Sequence, residues 1–289
     1  MDTGLADRTV LVTGASGSLG RSIAEEFGTE GARLILQGRS RTAELEAFVA
    51  GRSWASAARV IEADLSQPGT LAAALDRVLG DDEPLDHVVA NAGHWPSEAR
   101  PCHHIDEERF LDTLQSNLMG AVRTAQYFMA RLERLGPRPG EGASLTFTGS
   151  TAARFGERDH SDYAAAKAAL VGLARTLKNE VTRIDPLARV NVIEPGWSQG
   201  EVVRPELQAP GMVTRVTRTL ALRQLGRGKD VGRAAVFLAS PRMARHVTGE
   251  ILGVHGGMEG RVLWGEGDID EASIMARLDD GDPSPPGTG

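Results

Sequence analysis

A single cysteine, Cys102, occurs in 289 residues. That excludes an intramolecular disulfide and any zinc or iron–sulfur site needing several thiolates from one chain. No stretch approaches the ~18 consecutive apolar residues of a membrane helix, so no membrane span is expected. Asp2, Asp7 and Arg8 interrupt the apolar residues at the N-terminus, which leaves no secretory h-region. These absences point to a soluble protein of a reducing compartment, most simply the cytoplasm. A basic excess is missing as well: 32 Lys and Arg face 39 Asp and Glu, a formal charge of −7. Residues 258–289 hold eight acids (Glu259, Glu266, Asp268, Asp270, Glu271, Asp279, Asp280 and Asp282) against Arg261 and Arg277, a net of −6. The remainder is nearly neutral and has no field able to recruit nucleic acid. The end of the chain, Asp279–Gly289, is rich in Asp, Pro and Gly and reads as disordered.

What is present is an ordinary globular composition, 41% hydrophobic and 25% charged. Short apolar runs at Thr9–Val12, Arg33–Gln37, Arg59–Ala63, Asp86–Ala90, Ser144–Thr148, Arg189–Ile193 and Glu250–Val254 suit strands buried on both faces. Helical patterns at 19–29, 41–50, 69–79, 106–135, 161–183 and 229–239 fall between them. Such alternation implies an α/β fold, a parallel sheet with helices on both faces. The expected organisation is one domain over residues 1–257 and an acidic tail over 258–289. His94–Ile105 and Trp197–Gly228 break the alternation. Both leave from carboxyl ends of strands, where open parallel sheets bind ligands, so both are candidate substrate lids, the longer with a helix near Met212–Leu222.

Between the first strand and first helix runs Thr13-Gly14-Ala15-Ser16-Gly17-Ser18-Leu19-Gly20. Glycines at 14, 17 and 20 permit a tight turn, close approach of a pyrophosphate, and a helix N-terminus aimed at its charge. A glycine-rich turn without a ligand is the bland alternative; the place between strand and helix favours a nucleotide. The second strand ends in Leu36-Gln37-Gly38-Arg39-Ser40, with no acid there to bond both ribose hydroxyls of NAD. Arg39, with Ser40 and Arg41 beside it, either makes charge-assisted bonds to a 2′-phosphate or is a solvated loop arginine. The missing acid tilts the expectation to NADP(H), with NAD(H) the alternative.

Tyr163 and Lys167 open an Ala-rich helix, and their i,i+4 spacing places them on one face. A free phenol has a pKa near ~10 and is a poor acid or base at neutral pH. A neighbouring ammonium lowers that value and makes proton exchange with a substrate oxygen feasible. Ser150, at the end of the fifth strand, is placed to hydrogen-bond the same oxygen.

With these motifs in order, the chain resembles the short-chain dehydrogenase/reductases, in particular the single-domain branch that includes 3-oxoacyl-carrier-protein reductases. The resemblance covers about residues 7–257: the glycine turn, Asp64-Leu65, Asn91-Ala92-Gly93, Asn117, Ser150, Tyr163, Lys167, Pro195-Gly196 and Gly256-Gly257. It implies a Rossmann-type, doubly wound, seven-stranded parallel sheet. It implies that Gly14, Ser16, Gly17, Ser18, Leu19 and Gly20 hold the pyrophosphate, that Asp64 and Leu65 contact the adenine, and that Asn91, Ala92 and Gly93 flank the cofactor. Tyr163 is then the acid/base and Lys167 its modulator and a ligand of the nicotinamide ribose. Ser150 positions the carbonyl, Asn117 holds a relay water, and Pro195 and Gly196, after the sixth strand, contact the cofactor. The implied activity is hydride transfer between NADP(H) and a carbonyl or secondary alcohol of a small-molecule or carrier-linked substrate, in the reductive direction. An NAD-linked alcohol dehydrogenase is one alternative. A nucleotide sensor without turnover is another, disfavoured by the complete Ser150–Tyr163–Lys167 set. The helix after Tyr163, with Ala164, Ala165, Ala168, Ala169 and Gly172, and the long helix at 106–135 imply a homotetramer (or homodimer).

The chain also departs from its branch. Ser18 stands where the TGxxxGxG turn has glycine, and Gly17 makes the spacing TGxxGxxG. Gly200 replaces a threonine that often contacts nicotinamide, for which Ser198 is the local substitute. His255 stands where aspartate is common. His94, Cys102, His103 and His104 crowd one loop but match no metal-site spacing, so no metal is expected. Trp95 and Trp197 either line a substrate pocket or anchor their loops. Arg204, Arg215, Arg218 and Arg223, set against Glu201 and Glu206, suit an anionic substrate or a solvated helix face. Val262-Leu263-Trp264 either docks on a neighbouring subunit or packs on its own, followed by a helix near Ile269–Leu278 opened by Asp268 and Glu271 in capping-box spacing.

Overall fold

A computed structural model describes residues 2–139, 141–199 and 205–279. The readings made for Gly200, Glu201, Arg204 and the tail end beyond Asp279 lie outside these residues. The elements in chain order are β1 (Thr9–Val12), α1 (Ser18–Thr29), β2 (Arg33–Gly38), α2 (Thr42–Ala50), β3 (Ala58–Glu62), α3 (Thr70–Val78), β4 (His87–Ala90), α4 (Glu107–Leu114), α5 (Gly120–Leu135), β5 (Ser144–Thr148), α6 (Thr151–Phe155), α7 (Ser161–Glu180), β6 (Arg189–Pro195), β7 (Ser198–Gln199), α8 (Met212–Thr217), β8 (Gly226–Arg227), α9 (Gly228–Ala239), β9 (Ile251–Val254) and α10 (Glu271–Asp279).

Seven strands form one parallel sheet in the order β3-β2-β1-β4-β5-β6-β9. The chain winds outward from β1 to β3, then returns to place β4 on the other side of β1. The crevice at that reversal, above the carboxyl ends of β1 and β4, is where such sheets bind ligands. Strand alternation divides the core between two faces. Leu11, Ile35, Val88, Leu145, Phe147, Val190 and Val192 join one apolar cluster with Phe128 of α5 and Leu170 of α7. Val10, Val12, Leu34, Leu36, Val89 and Ile193 join the other, with Ile23 and Phe27 of α1 and Val231 and Ala235 of α9. Gly232 lets α9 lie close on α1, since a Cβ there would sit 2.8 Å from the Ser22 carbonyl oxygen. Arg189, 3% exposed, closes the other end of α9 by donating to the carbonyls of Ala239 at 2.8 Å and Ala244 at 3.3 Å. Its charge there opposes the negative end of the helix dipole.

The expected burial of every strand on both faces fails at the edges. Most of β3 and all but Gly253 of β9 are half-buried, and Gly253 is exposed. An edge strand has a neighbour on one side only and is covered less fully.

The helix expected over 106–135 is broken. Asp106 caps its start by accepting from Arg109 N at 2.8 Å, but a π-turn at Gln115–Met119 separates α4 from α5. Within that turn the Asn117 side-chain amide donates to the Thr113 carbonyl at 3.1 Å, which an unbroken α-helix would pair with the Asn117 backbone N–H.

Candidate active site

A cleft of about 710 Å³ opens at the reversal point. Its first wall is the glycine turn. Gly14 adopts φ +66°, and a Cβ there would come within 2.7 Å of Ala92 Cα. A Cβ on Gly20 would collide with the Gly14 carbonyl oxygen. Both positions therefore require glycine, whether or not a ligand is bound. Gly17 is the N-cap of α1 and supplies no side-chain cap, so the first amides of α1, at Ser18, Leu19 and Gly20 on the cleft wall, lack the side-chain acceptor many helices provide. The Ser18 hydroxyl is buried and has no hydrogen-bond partner among the described residues. Uncapped amides, an unpartnered hydroxyl and a cradle that side chains would fill together suit a pyrophosphate. The residues present fit a dinucleotide.

Gln37 holds this turn, a function the sequence reading did not assign to it. Its side-chain oxygen accepts from Gly14 N at 2.8 Å and its amide donates to the Ala63 carbonyl at 2.6 Å. Gln37 is 2% exposed at the end of β2, and a polar residue closing a strand carries no local signal of this role. Beyond it, Arg39, Ser40 and Arg41 line the cleft. Arg39 is exposed and makes no ion pair among the described residues.

The opposite side is built from β3, β4 and their loops. Asp64 Oδ1 accepts from Ser66 N at 3.0 Å and Ser66 Oγ at 2.8 Å, which folds the Asp64–Leu65 corner against the cleft. The Asn91 amide donates to the Thr13 carbonyl at 3.1 Å, while Thr13 Oγ1 accepts from Asn91 N and Ala92 N, each at 3.0 Å. The strand ends on either side of the reversal are thus joined. Asn117 is fully buried behind Gly93; it accepts from His94 N at 3.0 Å and donates to the His94 carbonyl at 2.9 Å. A Cβ on Gly93 would sit 2.7 Å from Asn117 Oδ1 and 3.1 Å from Lys167 Nζ. Asn117 itself does not reach the cleft wall.

Ser150, Tyr163 and Lys167 all line the cleft. Ser150 is the N-cap of α6, its Oγ accepting from Ala152 N at 3.1 Å; the cap uses a lone pair and leaves the hydroxyl proton free to donate. Lys167 is 4% exposed and donates to the Thr148 carbonyl at 2.8 Å, with its ammonium 5.7 Å from the Tyr163 ring centre. Burial pushes its pKa down to about 8. Trp95 stacks on His160, centroids 4.1 Å apart, and meets the Tyr163 ring edge-on at 4.8 Å. His160 is held by the carbonyls of Arg158 and Pro96, each at 3.1 Å. Trp95 remains 40% exposed, so part of its indole faces the opening beside Tyr163.

Pro195 and Gly196 reach the cleft, but Ser198 does not. It sits in β7 opposite Gly226, where a Cβ would meet its Oγ at 2.8 Å, and it is 6% exposed. Its Oγ lies against Gly226 rather than on the cleft wall. In the two irregular segments His94, Trp95, Ser97, Trp197, Met212 and Arg215 line the cleft, whereas Cys102, His103 and His104 form a separate exposed turn. No group of three or more His, Cys, Asp or Glu that could hold a metal occurs among the described residues. Nor is any helix among them long and apolar enough to cross a membrane.

Residues 14–259 match the family model described as enoyl-(acyl carrier protein) reductase. The chain belongs to the short-chain dehydrogenase/reductase family. It is 32% identical to an L-rhamnose 1-dehydrogenase (NAD(P)(+)) of Azotobacter vinelandii, over 88% of this chain and 97% of that protein. It is 28% identical to the Escherichia coli 3-oxoacyl-[acyl-carrier-protein] reductase FabG, over 87% and 97%. Its fold superposes on a short-chain dehydrogenase/reductase of Brucella melitensis, titled glucose/ribitol dehydrogenase, with TM-score 0.74 at 29% identity, covering 90% of this chain and 99% of that one. The protein is thus an oxidoreductase of a family that uses NAD(P)(H), and the names of its relatives include a sugar dehydrogenase and an acyl-carrier-protein reductase.

Proposed function

We propose that this oxidoreductase interconverts a carbonyl and a secondary alcohol on a small-molecule or carrier-linked substrate, using NADP(H) and working in the reductive direction. The observation that carries the reading is the convergence of Ser150, Tyr163 and a buried Lys167 on a cleft whose other end is an uncapped helix N-terminus. The turn from Gly14 to Gly20 holds the pyrophosphate; Asp64, Leu65, Asn91, Ala92 and Gly93 border the adenosine half, and Tyr163, Lys167, Pro195 and Gly196 the nicotinamide half. Bound there, the dinucleotide supplies the hydride chemistry at the substrate carbon. Tyr163 transfers the proton at the substrate oxygen, and Ser150 donates a hydrogen bond to that oxygen. Lys167 keeps positive charge beside the phenol, which favours its ionised form, and Asn117 fixes the His94 backbone behind them. The exposed small side of α7 (Ala165, Ala168, Ala169 and Gly172) and the half-exposed Leu111 of α4 support a homotetramer or homodimer, and the same reading places the enzyme in the cytoplasm.

The preference for NADP(H) rests on Arg39, which lines the cleft without an ion-pair partner at a strand end that has no carboxylate. Arg39→Ala is expected to weaken NADPH by about 1.5–3 kcal/mol, roughly 10- to 150-fold, as a charge-assisted bond to the 2′-phosphate is lost. NADH should weaken less than threefold. Fluorescence titration of both dinucleotides reads the ratio, and equal losses would overturn the preference and favour the NAD-linked alternative.

A further inference from the structure

α8 contributes Met212 and Arg215 to the cleft, yet it has only six residues, too few to hold a helix unaided. Its support comes from the C-terminal segment. Gly211 precedes it at φ +72° and offers no side-chain cap. The orphan Thr214 N–H is instead taken by Glu271 Oε1 at 2.8 Å, across 57 residues of sequence. Hydrogen bonding from Thr214, its side chain first and this backbone N–H second, holds the Glu271 carboxyl below its ordinary range.

The other end of α8 is secured by the same segment. Arg218 donates to the Trp264 carbonyl at 2.8 Å and pairs with Glu266 at 3.0 Å, while Leu263 N donates to the Arg218 carbonyl at 2.7 Å. Trp264 Nε1 donates to the Leu220 carbonyl at 2.7 Å, and the Arg223 guanidinium lies 4.9 Å above the indole. Beneath, Ile274 of α10 is 2% exposed in an apolar cluster with Leu207, Val213, Val216, Leu220 and Leu225. One side of α8, Val213 and Val216, is thus committed to the cluster that holds Ile274, and half-buried Met212 packs against that cluster too; Met212 and Arg215 both line the cleft, joined by a 3.2 Å contact from Arg215 to Met212 Sδ.

Trp264 and the helix that follows thus pack on their own chain. Arg218 and Arg223 are engaged with this segment rather than presented to a substrate. The cap of α10 is Asp270, accepting from Ser273 N at 3.0 Å, because Asp268 bonds Gly265 N at 2.9 Å and Glu271 bonds α8. The family match stops at residue 259, so almost all of this segment lies outside the part shared with the family model.

We propose that residues 260–278 are a strap that positions α8, and through it Met212 and Arg215, so that substrate affinity depends on the tail while cofactor affinity does not. The inference rests on the oxidoreductase reading of the cleft. Glu271, Ile274 and Trp264 are positioning residues that never touch substrate.

The test uses the full-length chain with Glu271→Ala, Ile274→Asp and the conservative Ile274→Leu. A panel of ketones and 3-oxoacyl thioesters is assayed by NADPH absorbance, and KM and kcat are measured on the compound that the wild type turns over fastest. Glu271→Ala and Ile274→Asp should raise KM at least tenfold with kcat within about threefold, the pattern of lost uniform binding. The NADPH Kd should stay within twofold, hydrogen exchange over 212–217 should accelerate, and Ile274→Leu should behave as wild type. An unchanged KM overturns the strap even if exchange accelerates, and so does a parallel rise in the NADPH Kd, which reports general loosening. A wild type that binds NADPH but turns over no panel compound counts against the oxidoreductase reading instead, and this inference falls with it.

Discussion

Tyr163→Phe is expected to lower turnover at least 10²- to 10⁴-fold, the contribution typical of a positioned general acid or base. The substitution removes one hydroxyl and keeps the ring, so the edge contact with Trp95 at 4.8 Å and the start of α7 are preserved. Ser150 and the α1 amides do not depend on the phenol, and the NADPH Kd should change by less than about fivefold. The only other tyrosine, Tyr127, cannot substitute. It lies on α5 outside the cleft wall, donating to Asp76 at 2.7 Å, and burial with that bond pushes its pKa up to about 12. Stopped-flow absorbance of NADPH and fluorescence titration separate the two quantities. Residual turnover within tenfold of wild type would sink the assignment of Tyr163. Intact binding with no turnover in the wild type itself would favour the nucleotide-sensor alternative.

Lys167→Met should remove most activity and yet stabilise the folded protein at neutral pH. Burial lowers the ammonium pKa from 10.5 to about 8, so the unfolded chain holds this proton more tightly than the native one. Below pH ~8 both states are protonated and the native state carries the whole penalty, about 3 kcal/mol for a drop of that size. As pH rises from ~8 to ~10.5 the unfolded state binds more protons, stability increases with pH, and the penalty disappears. Methionine fills similar space without the charge but gives up the 2.8 Å bond to the Thr148 carbonyl, worth roughly 1 kcal/mol. The variant should therefore exceed wild type by about 2 kcal/mol at pH 7, with the advantage gone by about pH 10.5. Urea denaturation of the cofactor-free protein at the two pH values measures this. A variant less stable than wild type at pH 7 would refute it. Turnover should fall by about 10²-fold or more, because the cation beside the proposed acid/base is lost.

Much of this architecture was legible because its signals are local. Each of the seven strands coincides with an apolar run to within two residues at either end. Continuous runs of Val, Ile and Leu suit strands covered by helices on both faces, a match closest at the central strands. The glycines at 14 and 20 were readable for a similar reason, since each allows a main-chain approach that any side chain would block. The break between α4 and α5 was not readable. Asn117 within it bonds His94, a residue 23 positions away, and helical periodicity runs through it unaltered. α6, five residues long, is too short to show a period. Gln37 looked like any polar residue closing a strand until folding placed it between Gly14 and Ala63.

The tail marks the boundary between the two kinds of knowledge. Its acidity and its helix were plain from the residues, and so was the possibility that Trp264 packs against something. Which surface it meets was not, because Glu271 caps Thr214 only when chain segments 57 positions apart are brought together. By itself the sequence determined the sheet, the glycine turn and the Ser150–Tyr163–Lys167 set, all carried by short-range spacing and by side-chain chemistry that needs no partner to recognise. The tertiary structure alone decided that Ser198 turns away, that Trp95 and His160 stand beside Tyr163, and that the C-terminal segment buttresses α8. Hydrogen bonds and packing between distant segments depend on three-dimensional proximity, which spacing along the chain does not encode.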